Sequence, residues 1–198
     1  DYSDPHAVLQ RIVESATRLT DGEASSLLLV NPETNKLYFE IAIGDKAQQV
    51  RSFSLNMGEG IAGWVAQHNR SLIVNNAEDD PRHQREIPKK IGYPTESILA
   101  VPMRVRDECV GVLEIINKRN HKPFDNDDLQ WLEIFANQAA LAVQNAKNFQ
   151  RAREQIDALQ DQVTEKKGYH TLIWASPAVE ELLKLVDRVA VTDSTVLI

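Results

Sequence analysis

The residues best placed to do chemistry lie in four short stretches. Gly58-Glu59-Gly60 opens onto the apolar run Ile61-Ala62-Gly63-Trp64-Val65-Ala66. Glycine reaches backbone angles that other residues avoid, so the chain can turn sharply into a helix there. The free N–H groups of Ile61 and Ala62, with the positive end of the helix dipole, would then face an anionic ligand. Asp79, Asp80, His83 and Glu114 have the types that acid–base chemistry uses, although acids beside Pro81 and Arg82 are the ordinary composition of a solvated loop. Cys109 is the single cysteine, which excludes a disulfide scaffold and a cysteine-built metal site. His6, His68, His83, His121 and His170 are scattered, so no metal is expected.

Composition narrows the classes further. A formal charge of −7 argues against gripping a phosphate backbone, which takes clustered Lys and Arg; no nucleic acid is expected on this segment. No stretch approaches the roughly 18 apolar residues of a membrane helix, and nothing near Asp1 resembles a signal peptide. A reducing, cytoplasmic setting follows as the expectation, with Asp1 as a cut within a longer protein.

The elements that must position these residues follow from periodicity. Val8, Leu9, Ile12, Val13, Ala16 and Leu19 mark one face of a helix over 5–20, with Asp4 and Pro5 as its cap and first residue. Residues 25–30 and 36–43 form a hairpin around Asn31-Pro32-Glu33-Thr34-Asn35. A further strand is expected over 50–55, a helix from the glycine turn to about Asn69, and a brief strand at 72–74. Residues 75–94 are polar, contain three prolines and are read as one long loop, of the size that is usually functional or mobile. Strands follow over 97–105 and 110–117. From Asn126 to about Lys166 there is no Gly or Pro, which predicts one long helix. The order fits an α+β fold: a central antiparallel sheet, helices on one side, and a loop with short helices over the other.

Within the long helix Phe149, Ala152, Ile156, Leu159 and Val163 recur at steps of three and four, the a/d seam of a coiled coil. An amphipathic helix lying on its own domain is the alternative. A homodimer is expected through this seam and through the first helix, Leu9 and Ile12 included.

Four segments resemble the GAF family in order and spacing: Gly58-Glu59-Gly60-Ile61-Ala62-Gly63-Trp64-Val65, Asn76 to His83 around Asp80-Pro81-Arg82, Gly92 to Met103, and Gly111 to Lys118. The resemblance, of the cyclic-nucleotide-phosphodiesterase-like type, implies a sensor domain over 1–145 with a pocket between sheet and loop. The ligand it implies is a cyclic nucleotide, cGMP or cAMP, or a small metabolite. Of the family's contacting positions Ser25 or Ser26, Ile61, Ala62, Thr95 and Glu114 are present, and Asp80 stands in the loop. Pro88 and Ile91 fall where the family has polar contacts. Asn117, Lys118, Phe124 and Asp128 match the family's signature, except that Leu129 replaces its final Glu; the resemblance makes Lys118 and Asp128 a pair that braces the pocket. Sulfoxide reductases of this family need several cysteines, so no enzyme is expected.

Ser176-Pro177-Ala178-Val179-Glu180 and Asp193-Ser194-Thr195-Val196-Leu197-Ile198 resemble the first edge of the AAA+ module in sigma-54-dependent transcriptional activators. That resemblance implies a coiled-coil linker over 146–168 and an AAA+ fragment over 169–198. It also implies partners, sigma-54 RNA polymerase and DNA, engaged through other regions. The implied function is regulatory: ligand binding moves the 75–94 segment and, through the dimeric helix, governs the ATPase. A dimerising module without ligand, or a cyclic-nucleotide sensor from another signalling protein, are the alternatives.

Overall fold

A computed structural model describes residues 4–166, together with 179–181 and 184. The chain divides into two units, residues 1–150 and 151–198. The first unit contains helix α1 (Pro5–Leu19), strands β1 (Gly22–Asn31) and β2 (Lys36–Ile43), and helix α2 (Ala47–Val50). Strand β3 (Ser54–Asn56), helix α3 (Gly60–His68), strand β4 (Leu72–Val74) and helix α4 (Glu86–Ile91) follow. Strands β5 (Ile98–Val105) and β6 (Glu108–Lys118) complete the sheet before helix α5 (Asn126–Lys166), which runs on into the second unit. Of the expected AAA+ fragment only 179–181 and 184 are described, and they are helical; the rest of 169–198, and the side chain of Val163, lie outside the described residues.

The sheet is wholly antiparallel in the order β3-β2-β1-β6-β5-β4. Successive side chains of a strand point to opposite faces, and here both faces are covered. Leu27 of β1, Leu99, Val101 and Met103 of β5, and Leu113 and Ile115 of β6 pack under α1 and α5, which contribute Leu9, Val13, Leu132 and Ala136. Their neighbours Leu28, Ala100 and Val112 face the other way, against Ile61, Ala62 and Val65 of α3. The long apolar runs of β5 and β6 are thus strands buried on both sides rather than helices.

Local chemistry ends each element. Asp4 caps α1 by accepting from the His6 N–H at 2.9 Å, and Pro5 follows where no N–H is needed. Asn31 turns the β1–β2 hairpin by accepting from the N–H groups of Glu33 and Thr34. Two glycines fix the start of α3. Gly60 has φ +70°, open to glycine at little cost. A Cβ on Gly63 would stand 2.6 Å from the Asn56 carbonyl oxygen, so α3 lies directly on the turn that precedes it.

Three expectations need correction. Residues 50–55 are not one strand: α2 ends at Val50, Ser52 Oγ donates to the Gln49 carbonyl, and only Ser54–Asn56 joins the sheet. The 75–94 segment is not all loop, because Glu86–Ile91 forms a turn of helix stopped by Gly92 at φ +66°. Pro88 is tolerated there because the first residues of a helix have no acceptor for their N–H groups. Leu9 is buried in the domain's own core, only 4% exposed, and is no free interface residue; Ile12 is partly buried beside it.

Gly63→Ala is expected to destabilise the domain by about 1–3 kcal/mol through overpacking, read by urea denaturation. A loss within a few tenths of a kcal/mol would mean that α3 can slide off the turn.

Candidate functional site

Between the α3 face of the sheet and α4 lies a cavity of about 80 Å³. Its floor is Ser26 of β1 and Glu114 of β6, which are direct neighbours in the sheet. One wall is the N-terminus of α3, with Gly60, Ile61 and Ala62. The roof comes from His83 and Gln84, from Ile87, Pro88 and Ile91 of α4, and from Tyr93 and Thr95. A void of about 40 Å³, bordered by Lys46, shares Ser26, Val50, Ile91 and Tyr93 with it. On the outer side of α4 a hollow of about 390 Å³ carries Glu78, Arg85 and Lys89. The α4 segment is therefore a partition.

Polar groups around this apolar space lack partners. Ser26, Thr95 and Glu114 are each more than nine-tenths buried, and among the described residues their side chains make no hydrogen bond. None of their polar atoms is sealed away from space: all three open onto the cavity, Ser26 also onto the adjoining void and Thr95 onto the outer hollow. Glu59, which starts α3, does not cap it; its carboxylate accepts from the backbone N–H and side-chain amide of Asn56 instead, and these bonds hold it below its ordinary pKa. The first-turn N–H groups of α3 stay open, with the dipole's positive end. At the opposite side, burial pushes the Glu114 carboxyl up from 4.5 to about 7. The cavity is thus bipolar: amide donors on one wall, a carboxyl on the floor.

The loop above it is held from two sides. Asp80 binds Arg82 through both carboxylate oxygens, at 2.9 and 2.6 Å, and this bond keeps Asp80 below its ordinary pKa. Arg82 lies 4.9 Å over the ring of Trp64, which stacks on His68. Asp80 therefore fastens the loop to α3 and does not line the cavity. Ser25 does not line it either: strand alternation turns it to the α1 face, where it meets Thr17 Oγ1 at 2.6 Å. Lys118 and Asp128 form a buried ion pair joining the end of β6 to the start of α5. Ser26, Ile61, Ala62, Thr95 and Glu114 come together at the cavity, with Pro88 and Ile91 on its apolar roof.

Sequence reasoning missed Phe39 as a wall and Tyr93 as a lining residue. Burial and the nearby Glu23 carboxylate raise Tyr93 to about 12, and its hydroxyl donates to Glu23. His83, noted only as an acid–base candidate, also lines the cavity, and burial lowers its pKa.

The GAF domain family model matches residues 4–143. The chain belongs to the GAF family. Among curated relatives, the probable 3',5'-cyclic phosphodiesterase pde-5 of Caenorhabditis elegans is 31% identical over 162 residues, covering 77% of this chain and 22% of the relative. The dual 3',5'-cyclic-AMP and -GMP phosphodiesterase 11A of Takifugu rubripes is 30% identical over 149 residues, 70% of this chain and 16% of the relative. The chain thus spans about a fifth or less of these proteins. The GAF domain of a phosphoenolpyruvate-protein phosphotransferase from Coxiella burnetii superposes with a TM-score of 0.68 at 18% identity, over 75% of this chain and 88% of that one. The corresponding GAF domain from Acinetobacter gives 0.65 at 21% identity, over 75% and 87%. These structures share the GAF fold. Among the described residues, no helix is long and apolar enough to cross a membrane.

The buried carboxyl sets a pH dependence of GAF stability. Between pH 4.5 and about 7 the unfolded chain has released the Glu114 proton while the folded domain keeps it. Stability from this group therefore falls as pH rises through that window, by on the order of 3 kcal/mol at most, and levels off above it. Glu114→Gln is expected to gain stability over the parent across the same window and hold the gain at pH 8. A urea-melt difference that is equal at pH 5 and pH 8 would refute the burial of this charge.

Proposed function

We propose that this GAF domain is a regulatory sensor that binds a small ligand between sheet and α4, and that it is not an enzyme. The observation that carries the reading is the set of unpartnered polar groups, Ser26, Thr95 and Glu114, facing an uncapped helix end across an apolar space. Buried polar groups without partners cost stability, and a ligand with complementary groups offsets that cost. Several relatives are named as cyclic-nucleotide phosphodiesterases, which supports a cyclic nucleotide, cGMP or cAMP, over other small metabolites.

The closed cavity is well below the roughly 300–1,000 Å³ of ordinary ligand pockets, so a nucleotide enters only as α4 moves and the adjoining voids merge. A ligand that favours the opened arrangement shifts the population of the two states by its difference in affinity. Residues 176–198 resemble the AAA+ edge of sigma-54-dependent activators, which supports an output through such an ATPase, with sigma-54 RNA polymerase and DNA as partners of other regions. A cytoplasmic location accords with that role. Titration calorimetry with cGMP, cAMP and a panel of metabolites is expected to give saturable heat for at least one, with no turnover. Absence of heat from all of them would leave a spacer domain.

A homodimer is the second element of the proposal, favoured by apolar exposure on α5. Trp131, Ile134 and Leu141 are about half exposed, Phe149 is 76% exposed, and Ile156 and Leu159 are also open to solvent. Solvent-facing apolar residues recurring along one helix mark an interaction surface. Phe149→Glu combined with Ile156→Glu is expected to convert a dimer to a monomer in sedimentation equilibrium. A dimer that persists in the double variant would place the interface elsewhere.

A further inference from the structure

The cavity under α4 and the void beside it have Ser26, Val50, Ile91, Tyr93 and Ile116 as common walls. Their far ends differ. Gly60, Ile61 and Ala62 of α3 border the cavity but not the void, whereas Lys46 borders the void but not the cavity. Local structure fixes the backbone of Lys46. Gly44 turns the chain out of β2 at φ +118°, so close to β1 that a Cβ there would stand 2.9 Å from that of Ala24. The Ala47 N–H then donates to the Gly44 carbonyl at 3.1 Å, and the Val50 N–H to the Lys46 carbonyl at 3.2 Å. The Lys46 side chain is half-buried and does not cap α2. Among the described residues it makes no hydrogen bond or ion pair, so its three donors are free for a ligand.

We propose that Lys46 reads the base of the bound nucleotide and selects a purine that carries oxygen at its 6-position. The inference rests on the cyclic-nucleotide reading of the site. When α4 moves and the two spaces join, they form one elongated site with the open amides of α3 at one end and an ammonium at the other. The cyclic phosphate takes the α3 end, where helix amides and dipole favour an anion, and the base extends toward α2. Ser26, Ile61, Ala62, Thr95 and Glu114, the positions that the family resemblance assigns to ligand contact, include no cation; Lys46 adds one. An ammonium only donates. Both purines present N7 as an acceptor, so the choice falls on the 6-position: guanine's oxygen accepts, while adenine's amino group sets donor against donor. Ser26 and Thr95 do not discriminate in this way, because a hydroxyl rotates to donate or accept as required.

Titration of cGMP, cAMP and cyclic IMP into the full chain at one pH tests this, with Lys46→Met and Lys46→Glu beside the parent. Cyclic IMP has the 6-oxygen but lacks guanine's 2-amino group, so it isolates the 6-position. The parent is expected to bind cGMP and cyclic IMP on the order of tenfold tighter than cAMP, the scale of one base contact. Lys46→Met keeps an apolar stem and removes the donors, so the ratio of cyclic IMP to cAMP affinity should fall on the order of tenfold. Lys46→Glu accepts only, so its ratio should fall further, toward cAMP. Charge lost near the phosphate weakens both nucleotides alike and cancels in the ratio, as do contacts to the rest of the base that the variants share with the parent. A ratio in Lys46→Met within twofold of the parent overturns the assignment while leaving nucleotide binding intact, and so does a parent that prefers cAMP. If none of the three nucleotides binds the parent, the cyclic-nucleotide reading falls and the assignment with it.

Discussion

Burial of the three central strands on both faces is the constraint on which the rest of this domain depends. Leu27 and Leu28 are consecutive residues of β1 and neither is exposed at all; one lies under α1 and α5, the other against α3. At the centre of such a sheet there is no solvent face on which to leave a polar side chain. A polar residue in the middle of β1, β5 or β6, away from the exposed strand ends at Glu23, Arg104 and Glu108, must either find a partner in one layer or face a space. The consecutive serines of β1 show both outcomes. Ser25 meets Thr17, which also donates to the Val13 carbonyl. Ser26, turned the other way, meets the cavity and the void beside it.

The cavity exists because α4 is suspended rather than packed. On its N-terminal side, the Asp80–Arg82 pair stacked on Trp64 holds the chain to α3. On its C-terminal side, Asn117, in a left-handed conformation at φ +56°, accepts from the N–H groups of Glu96 and Ser97 and donates to the Pro94 carbonyl and Glu23. Lys118, the next residue, is tied to Asp128 at the start of α5. Between these anchors α4 has no fully buried residue. Few buried contacts make a segment cheap to open, whereas its ends are costly to move. A ligand that lifts α4 would therefore pull on Asn117 and Lys118, one residue pair away from the helix that leaves the domain.

Much of this was legible in the sequence, and the gaps have physical reasons. Long elements with one clear period, such as α1, β5, β6 and α5, were readable because many residues repeat the same signal. The glycine turn into α3 was readable because its chemistry is specific. Short elements were not: β3 takes part in the sheet through three residues, and no periodicity can be seen over that length. Pro88 concealed α4, since proline reads as a helix breaker unless its place in the first turn is known. Leu9 belonged to an apolar stripe that could cover the domain's own sheet or a partner, and only packing decides between them. Ser25 and Ser26 are equivalent as residue types; strand register separates them. Asp80 looked like a ligand contact because the motif carries it, yet its strong partner is two residues away.

Glu114 is where local rules and function part. A central strand position covered on both faces calls for an apolar side chain, and Val112 and Ile116, two residues to either side, obey. Burial there raises the carboxyl's pKa, and among the described residues it makes no hydrogen bond, so stability alone would replace it. Such an unpartnered group, in an otherwise consistent core, is the signature of a residue kept for a task. Its position directly beside Ser26 and across from the open amides of α3 suits the proposed ligand, one with donors at one end and negative charge at the other. The same physics would make the proposed complex selective, because each unmatched group on a ligand would meet a low-dielectric surround with no water to replace the missing bond.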